Sequence, residues 1–301
     1  MSVDQLRDLL ERHARPDLAT TIVGVRICKA DHAAAPEASM SGTVLAVIAQ
    51  GVKRLALGDR VYDYGAGQYL IASVDLPVTG HFVDASPGRP GLGFGMTLEP
   101  AVIAELLLQA GPGDLPRSGG SARPGLAVSD APEEVLDAIV RLLRLLDRPR
   151  DRRTLAPLVK REILWRLITG EQGDAVRQLG LADSSLSHIT RAARWIRENY
   201  TRSFRVEEAA QLSGMSVSAF HRNFQAVTAM TPIQFQKHIR LQAARLLLAN
   251  SPNDVTGVGS RVGYDSPSQF SREYRRLFGA PPSRDAVRLR AGAGPAVAAL
   301  P

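Results

Sequence analysis

The 301-residue chain reads as an α+β protein of two domains. Three observations predict this. Short β-type runs punctuated by glycine crowd the stretch from about 20 to 97, one helix-turn-helix pattern occurs twice between Arg205 and Pro282, and basic charge gathers around that repeat. The expected architecture is a β-rich front domain over 1–181, a small barrel or double-sheet jelly roll with flanking helices and a helical linker. An all-α rear domain follows over 186–290, with helix-turn-helix units at about 206–228 and 254–278. The stretch 291–301 is expected to be a disordered tail.

Residues 4–13 place Leu6, Leu9 and Leu10 on one face of a short helix. The runs 21–28, 43–49, 52–57, 60–64, 68–74, 78–83 and 92–97 have strand texture, and many short strands at such spacing point to a barrel or two-sheet fold. Helical texture returns over 99–110. The stretch 111–132 is rich in Gly, Pro, Ser and Arg and reads as a loop. Beyond it Val135, Ile139, Leu142, Leu143 and Leu146 define one amphipathic helix, and Leu158, Ile163, Leu164, Leu167 and Ile168 help define a second. Their apolar faces need cover, either from their own barrel or from a second copy of the chain.

In the first rear unit Val206, Ala209, Ala210 and Leu212 line a short helix, Gly214 makes the turn and Ser216 caps the next helix. That second helix turns Phe220, Phe224 and Val227 inward, which leaves Ser218, His221, Arg222 and Gln225 outward. The second unit repeats this with Val255, Val258 and Val262, Gly263 as turn, Ser266 as cap and Pro267 at the favoured first position. Phe270, Tyr274 and Leu277 are its buried stripe, so Ser268, Ser271, Arg272 and Arg275 face out. The two turn glycines are 49 positions apart. Between the units a helix runs from Pro232 to about Ala249 with Phe235, Ile239, Gln242 and Leu246 at i, i+4, i+7, i+11. Roughly eighteen residues make a rod about 27 Å long, suited to units that enter successive major-groove faces ~34 Å apart.

The runs 231–235 (TPIQF), 240–247 (RLQAARLL), 263–274 (GYDSPSQFSREY) and 278–282 (FGAPP) closely resemble the AraC/XylS family of transcription regulators. The resemblance covers roughly 186–290. It implies that the second helix of each unit enters the major groove, with Ser218, His221 and Arg222 in one and Ser268, Ser271 and Arg272 in the other. The runs 50–54 (QGVKR), 58–64 (GDRVYDY) and 69–78 (YLIASVDLPV) resemble the cupin-like N-terminal domain of one AraC-type subgroup, over roughly 20–175. That implies a jelly-roll sensing domain. The implied partners are promoter double-stranded DNA, RNA polymerase, a small-molecule effector and a second copy in a homodimer, with activation as the commoner outcome.

Charge supports a nucleic-acid partner. Residues 186–292 hold 16 Lys and Arg against 7 Asp and Glu, so this stretch is +9 and the rest of the chain −2. Cations placed there release counterions from phosphate; the plainer reading is a solvated Arg-rich surface, so charge adds to the motif without replacing it. The single Cys28 excludes an intrachain disulfide and a cysteine zinc site, and reads as a small buried hydrophobe. No basic leader with an apolar core opens the chain and no run is long enough to span a bilayer, which leads us to expect a cytoplasmic protein.

Enzymatic readings lack their residues. A metal-dependent cupin needs closely spaced histidines and a carboxylate, whereas His13, His32 and His81 lie far apart. No G-x-S-x-G elbow is present, and Cys28 lacks the Pro-Cys-His-Arg setting of an alkyl-accepting thiol. No enzyme activity, metal or cofactor is expected. Tyr62, Tyr64 and Tyr69, on neighbouring strands, and His81 are the candidate effector contacts, with ordinary strand packing as the plainer alternative. Arg222 and Arg272 are the strongest candidates for DNA contact, because a guanidinium gives guanine two parallel hydrogen bonds. Arg240 and Arg245 sit on the connector and are expected to brace the units. An architectural DNA-binding protein with little sequence preference is the remaining alternative.

Overall fold

The computed structural model describes residues 2–116, 124–181, 184–250 and 254–291. The chain divides into two compact units, with the boundary between Ser187 and His188. Among the described residues no helix is long and apolar enough to cross a membrane.

The front unit opens with α1 (Ser2–His13) and continues through eight strands: β1 (Val25–Ala30), β2 (Glu37–Met40), β3 (Val44–Gln50), β4 (Val52–Leu57), β5 (Arg60–Gly65), β6 (Gln68–Ala72), β7 (Pro77–Asp84) and β8 (Gly91–Thr97). Among the described residues every strand-to-strand pairing is antiparallel, and the pairs are nested: β4 with β5, β3 with β6, β2 with β7, and β1 with β8. Further pairings of β3 with β8 and β4 with β7 join these into two sheets, ordered β1-β8-β3-β6 and β2-β7-β4-β5. A long double hairpin rolled over itself in this way is a jelly roll, so the fold class read from the sequence stands.

After the roll come α2 (Pro100–Gln109), β9 (Leu126–Asp130), α3 (Glu133–Arg144), α4 (Pro149–Thr169) and α5 (Gly173–Gly180). β9 corrects the reading of 111–132 as loop. It joins the first sheet beside β6, with Leu70 opposite Val128, and its five residues, three apolar then two polar, show no period-2 alternation that would stand out between Gly/Pro-rich flanks. Residues 117–123 of that expected loop, and 292–301 of the expected tail, lie outside the described residues.

The core sits on the helical side of the five-stranded sheet. Leu6, Leu9 and Leu10 of α1, Ile139, Leu142 and Leu143 of α3, and Ile163, Leu164, Leu167 and Ile168 of α4 pack with Ile27, Leu45, Val47, Ile71, Phe94 and Met96 from the sheet. The alternate residues Ala46, Ile48, Leu70 and Ala72 are fully buried as well. With both faces covered, β3 and β6 read as continuous apolar runs rather than alternating ones.

The rear unit is helical: α6 (Ser185–Glu198, which spans the boundary), α7 (Val206–Leu212), α8 (Val217–Thr228), α9 (Pro232–Asn250), α10 (Val255–Arg261), α11 (Pro267–Phe278) and α12 (Pro282–Ala291). The pairs α7–α8 and α10–α11 are the two helix-turn-helix units, joined by α9.

Candidate nucleic-acid interface

The two units are built by the same local chemistry. Gly214 and Gly263 take positive φ, +63° and +91°, a conformation that side-chain-bearing residues adopt only with strain. Each turn closes with the same backbone bond: Met215 N–H donates to Ala210 C=O at 3.0 Å, and Tyr264 N–H to Gly259 C=O at 3.0 Å. The hydroxyls of Ser216 and Ser266 then cap α8 and α11 by accepting from Ala219 and Gln269 N–H, both at 3.3 Å. The turns correspond at an offset of 49 residues and the caps at 50, so the second turn carries one extra residue, Asp265.

Aromatic stripes fix the phase of both second helices. Phe220 and Phe224 are buried, 5.3 Å apart, and Phe224 meets Phe235 of α9 edge-on at 5.4 Å. Phe270 and Tyr274 repeat the arrangement at 5.6 Å, and Phe278 continues it at 4.6 Å. The Tyr274 hydroxyl donates to Asp285 of α12 at 2.8 Å, where Arg245 of α9 also donates at 2.9 Å. Burial, then the Asp285 charge, raises the Tyr274 pKa. On α7 only Ala209 and Ala210 are buried; Leu212, expected on the same side, is 42% exposed because the helix ends there against the turn.

With the stripes inward, Ser218, Arg222, Ser268 and Arg272 are exposed and His221 and Ser271 half-buried. Neither Arg222 nor Arg272 makes an ion pair or hydrogen bond with a described residue, in contrast to Arg245 and Arg240. The six candidate contacts thus occupy equivalent positions on two equivalently capped helices.

The connector does more than separate the units. Arg240 donates from Nε to Tyr200 C=O at 2.6 Å, from Nη2 to Thr201 and Arg202 C=O at 3.3 and 3.0 Å, and from Nη1 to Gly263 C=O at 2.8 Å. One guanidinium therefore ties the segment before α7 to the turn of the second unit. Gln236 donates to the carbonyls of Tyr200 and Arg202 as well. Burial lowers the Arg240 pKa against the opposing charges of Tyr264, Asp265 and Glu273, and arginine stays charged regardless. At Gly263 a side chain would run into the Thr201 carbonyl oxygen. Lys237 reaches Glu273 of α11 at 2.7 Å, and Tyr264 and Gln269 donate to the same carboxylate at 2.8 and 3.2 Å. Burial opposes ionisation of Glu273, but those hydrogen bonds outweigh it and hold its pKa below the ordinary value.

The buried face of α9 differs from the expected stripe. Phe235 and Ile239 are buried, but Leu246 is 55% exposed, and the stripe continues through Leu241, Ala244 and Leu248. The helix serves two cores in succession: Phe235 packs on Phe224, while Leu241, Ala244 and Leu248 join Val258, Phe270 and Tyr274.

In the front unit, strand register separates the four candidate effector residues. Tyr62 and Tyr64 stand opposite Leu55 and Lys53, and Lys53 also stands opposite Phe82, so these share the inward face of their sheet. Burial pushes the Tyr64 pKa up, and its buried hydroxyl has no hydrogen-bond partner among the described residues. Lys53 is buried too, its ammonium 5.6 Å from the Phe82 ring centre; burial lowers its pKa, partly offset by Cys28 and Glu37. His81 stands opposite Arg54, on the other face, beside the Arg54–Asp63 ion pair at 2.6 Å. Tyr69 belongs to the core beneath the helices. The structure therefore brings Tyr62 and Tyr64 together and sets Tyr69 and His81 apart from them. Among the described residues no cluster of three or more His, Cys, Asp or Glu forms a metal site.

Comparison with known families fits this geometry. The family described as "AraC-type transcriptional regulator N-terminus" matches residues 21–175, and a "Helix-turn-helix domain" family matches residues 209–286. The chain belongs to the AraC-type transcriptional regulators. Among AraC-type relatives, it is 34% identical over 100 residues to the MmsAB operon regulatory protein of Pseudomonas aeruginosa, covering 33% of each chain. It is 26% identical over 162 residues to the transcriptional activator RhaS of Salmonella schwarzengrund, covering 52% of this chain and 57% of that one. The matches thus span a third to somewhat over half of these relatives. An apo ToxT variant from Vibrio cholerae superposes with a TM-score of 0.54 over 89% of this chain and 99% of that one, at 9% identity, a likeness of fold.

Proposed function

We propose that this AraC-type chain is a sequence-specific regulator that binds promoter double-stranded DNA through α8 and α11 and acts as an activator. The observation that carries the reading is the pair of exposed arginines, Arg222 and Arg272, without an ion pair or hydrogen bond among the described residues, at matching positions on two capped helices braced through one connector. Ser218, His221, Ser268 and Ser271 flank them as shorter-range contacts. The excess of positive charge over 186–292 supplies the phosphate-binding background.

The front domain, in this reading, receives a small-molecule effector and hands its state to the rear domain, while RNA polymerase is the partner at the promoter. Leu155 and Leu158, exposed on α4, support a homodimer contact on that helix. A cytoplasmic location follows from the role.

Genome-wide mapping of bound sites in the native host, followed by affinity measurements on a mapped site, tests the proposal. Arg222→Ala and Arg272→Ala should each cost about 1–3 kcal/mol at the mapped site if each reads a base with two hydrogen bonds. Binding unchanged in both variants, with folding intact, removes them from the reading set. Uniform occupancy of DNA without defined sites overturns the regulator reading in favour of an architectural one.

A further inference from the structure

The front unit holds a cavity that no part of the DNA-binding reading uses. Its volume is about 770 Å³, within the range that takes drug-sized ligands, and it lies between the segment before β1, α2 and α4. Ile22, Val102 and Leu164 give it apolar walls, and Ile22 and Leu164 are 4% and 1% exposed. Val23, beside them, is 88% exposed.

The cations around this cavity are unequally compensated. Lys160 donates to Glu99 at 2.5 Å, and Arg161 pairs with Glu105 at 2.7 Å. Arg152 meets only a neutral acceptor, the Thr21 hydroxyl, at 2.5 Å. Arg153 makes no ion pair or hydrogen bond with a described residue. Two guanidiniums at the border of an apolar cavity therefore lack a carboxylate partner among the described residues. Glu99 is the single acid in the lining, and it is already engaged by Lys160.

We infer that this cavity binds an amphipathic organic monocarboxylate, its apolar body against Ile22, Val102 and Leu164 and its carboxylate at Arg152 and Arg153. A guanidinium binds a carboxylate through two parallel hydrogen bonds, and an apolar body is what the remaining walls can desolvate. The inference rests on the reading that the front domain takes an effector. It assigns that role to the outer, helix-covered side of the roll, away from Tyr62 and Tyr64.

Calorimetric titration of the full-length protein tests it with two probe pairs: decanoate against decan-1-ol, and 4-phenylbutyrate against 4-phenylbutan-1-ol. At least one acid should bind, its alcohol should bind on the order of tenfold more weakly or worse, and Arg153→Gln should weaken the acid by about five- to tenfold. Ala156→Phe, which fills the cavity from α4, should abolish binding. Arg153 is exposed, so its variant remains informative if the Phe variant fails to fold. Acid and alcohol of equal affinity, affinity unchanged in Arg153→Gln, or no acid bound at all overturns the inference. A compound that binds the front unit equally in wild type and Ala156→Phe leaves effector sensing standing and removes this cavity from it.

Discussion

Replacing each turn glycine by alanine separates two effects that the paired motif otherwise confounds. Gly214 and Gly263 both have positive φ, and a non-glycine residue there costs about 1–2 kcal/mol. Around Gly214 a new methyl finds space, its nearest neighbours being His188 ring atoms at 3.8 and 3.9 Å. Around Gly263 it meets the Thr201 carbonyl oxygen, with the Arg240 guanidinium at 2.9 Å. Neither can withdraw without loosening the hydrogen bonds that Arg240 makes to four carbonyls, and overpacking of this kind costs a further ~1–3 kcal/mol. Gly214→Ala should therefore destabilise the rear unit by about 1–2 kcal/mol and Gly263→Ala by about 2–5 kcal/mol. Urea unfolding in a Trp165→Phe background, where Trp195 is the sole tryptophan and reports on the rear unit, measures both. Equal losses in the two variants refute the claim that Gly263 is pinned between the units.

Other perturbations probe the same region. Ala229 ends α8 in the left-handed conformation at φ +57°, where α11 ends with Gly279; Ala229→Gly should stabilise by about 0.5–1 kcal/mol in the same assay, and a loss argues that its methyl is needed for packing. Glu273 has a depressed folded-state pKa, so its contribution is present above the unfolded carboxylate range, around pH 4.3, and is lost as pH falls through the depressed value. The gap in urea midpoint between wild type and Glu273→Gln should accordingly be open at neutral pH and close in acid; a gap independent of pH contradicts an ionised Glu273. Affinity for a mapped DNA site should fall steeply and log-linearly with salt, and a flat response excludes phosphate anchoring.

Local chemistry was legible in the sequence and phase often was not. The helix-turn-helix units could be read because glycine turn, serine cap and aromatic stripe all lie within about twenty residues and agree with one another. The eight-stranded roll was legible except for β2, whose Glu-Ala-Ser-Met is half-buried at every position and carries no β-branched residue. The connector's stripe was misread because one helix packs into two cores in succession, so no single period describes it. The Arg240 brace joins residues 23 to 40 positions apart, which no local pattern encodes; only its place on the connector hinted at it. Tyr69 stands apart from Tyr62 and Tyr64 for the same kind of reason: β6 is buried on both sides, so hydrophobicity does not tell which parity points into the roll, and register alone decides. His81 lies on the half-exposed parity of β7, which alternates with the buried Gly80 and Phe82. The cavity at α4 draws its walls from three distant segments and left no trace in any one of them.

The nesting of the strand pairs has a consequence for assembly. The β4–β5 hairpin closes over two residues, β3 with β6 over a wider gap, and β1 with β8 over some sixty, so chain-closure entropy favours zipping from the tip outward. The segment from Thr21 to Val23 leads through Gly24 into β1, a strand of that outermost rung, so this order of closure would set it in place late. A ligand held there would report completion of the entire roll, and its binding energy would be felt as cooperative stability of the whole front unit rather than of one loop.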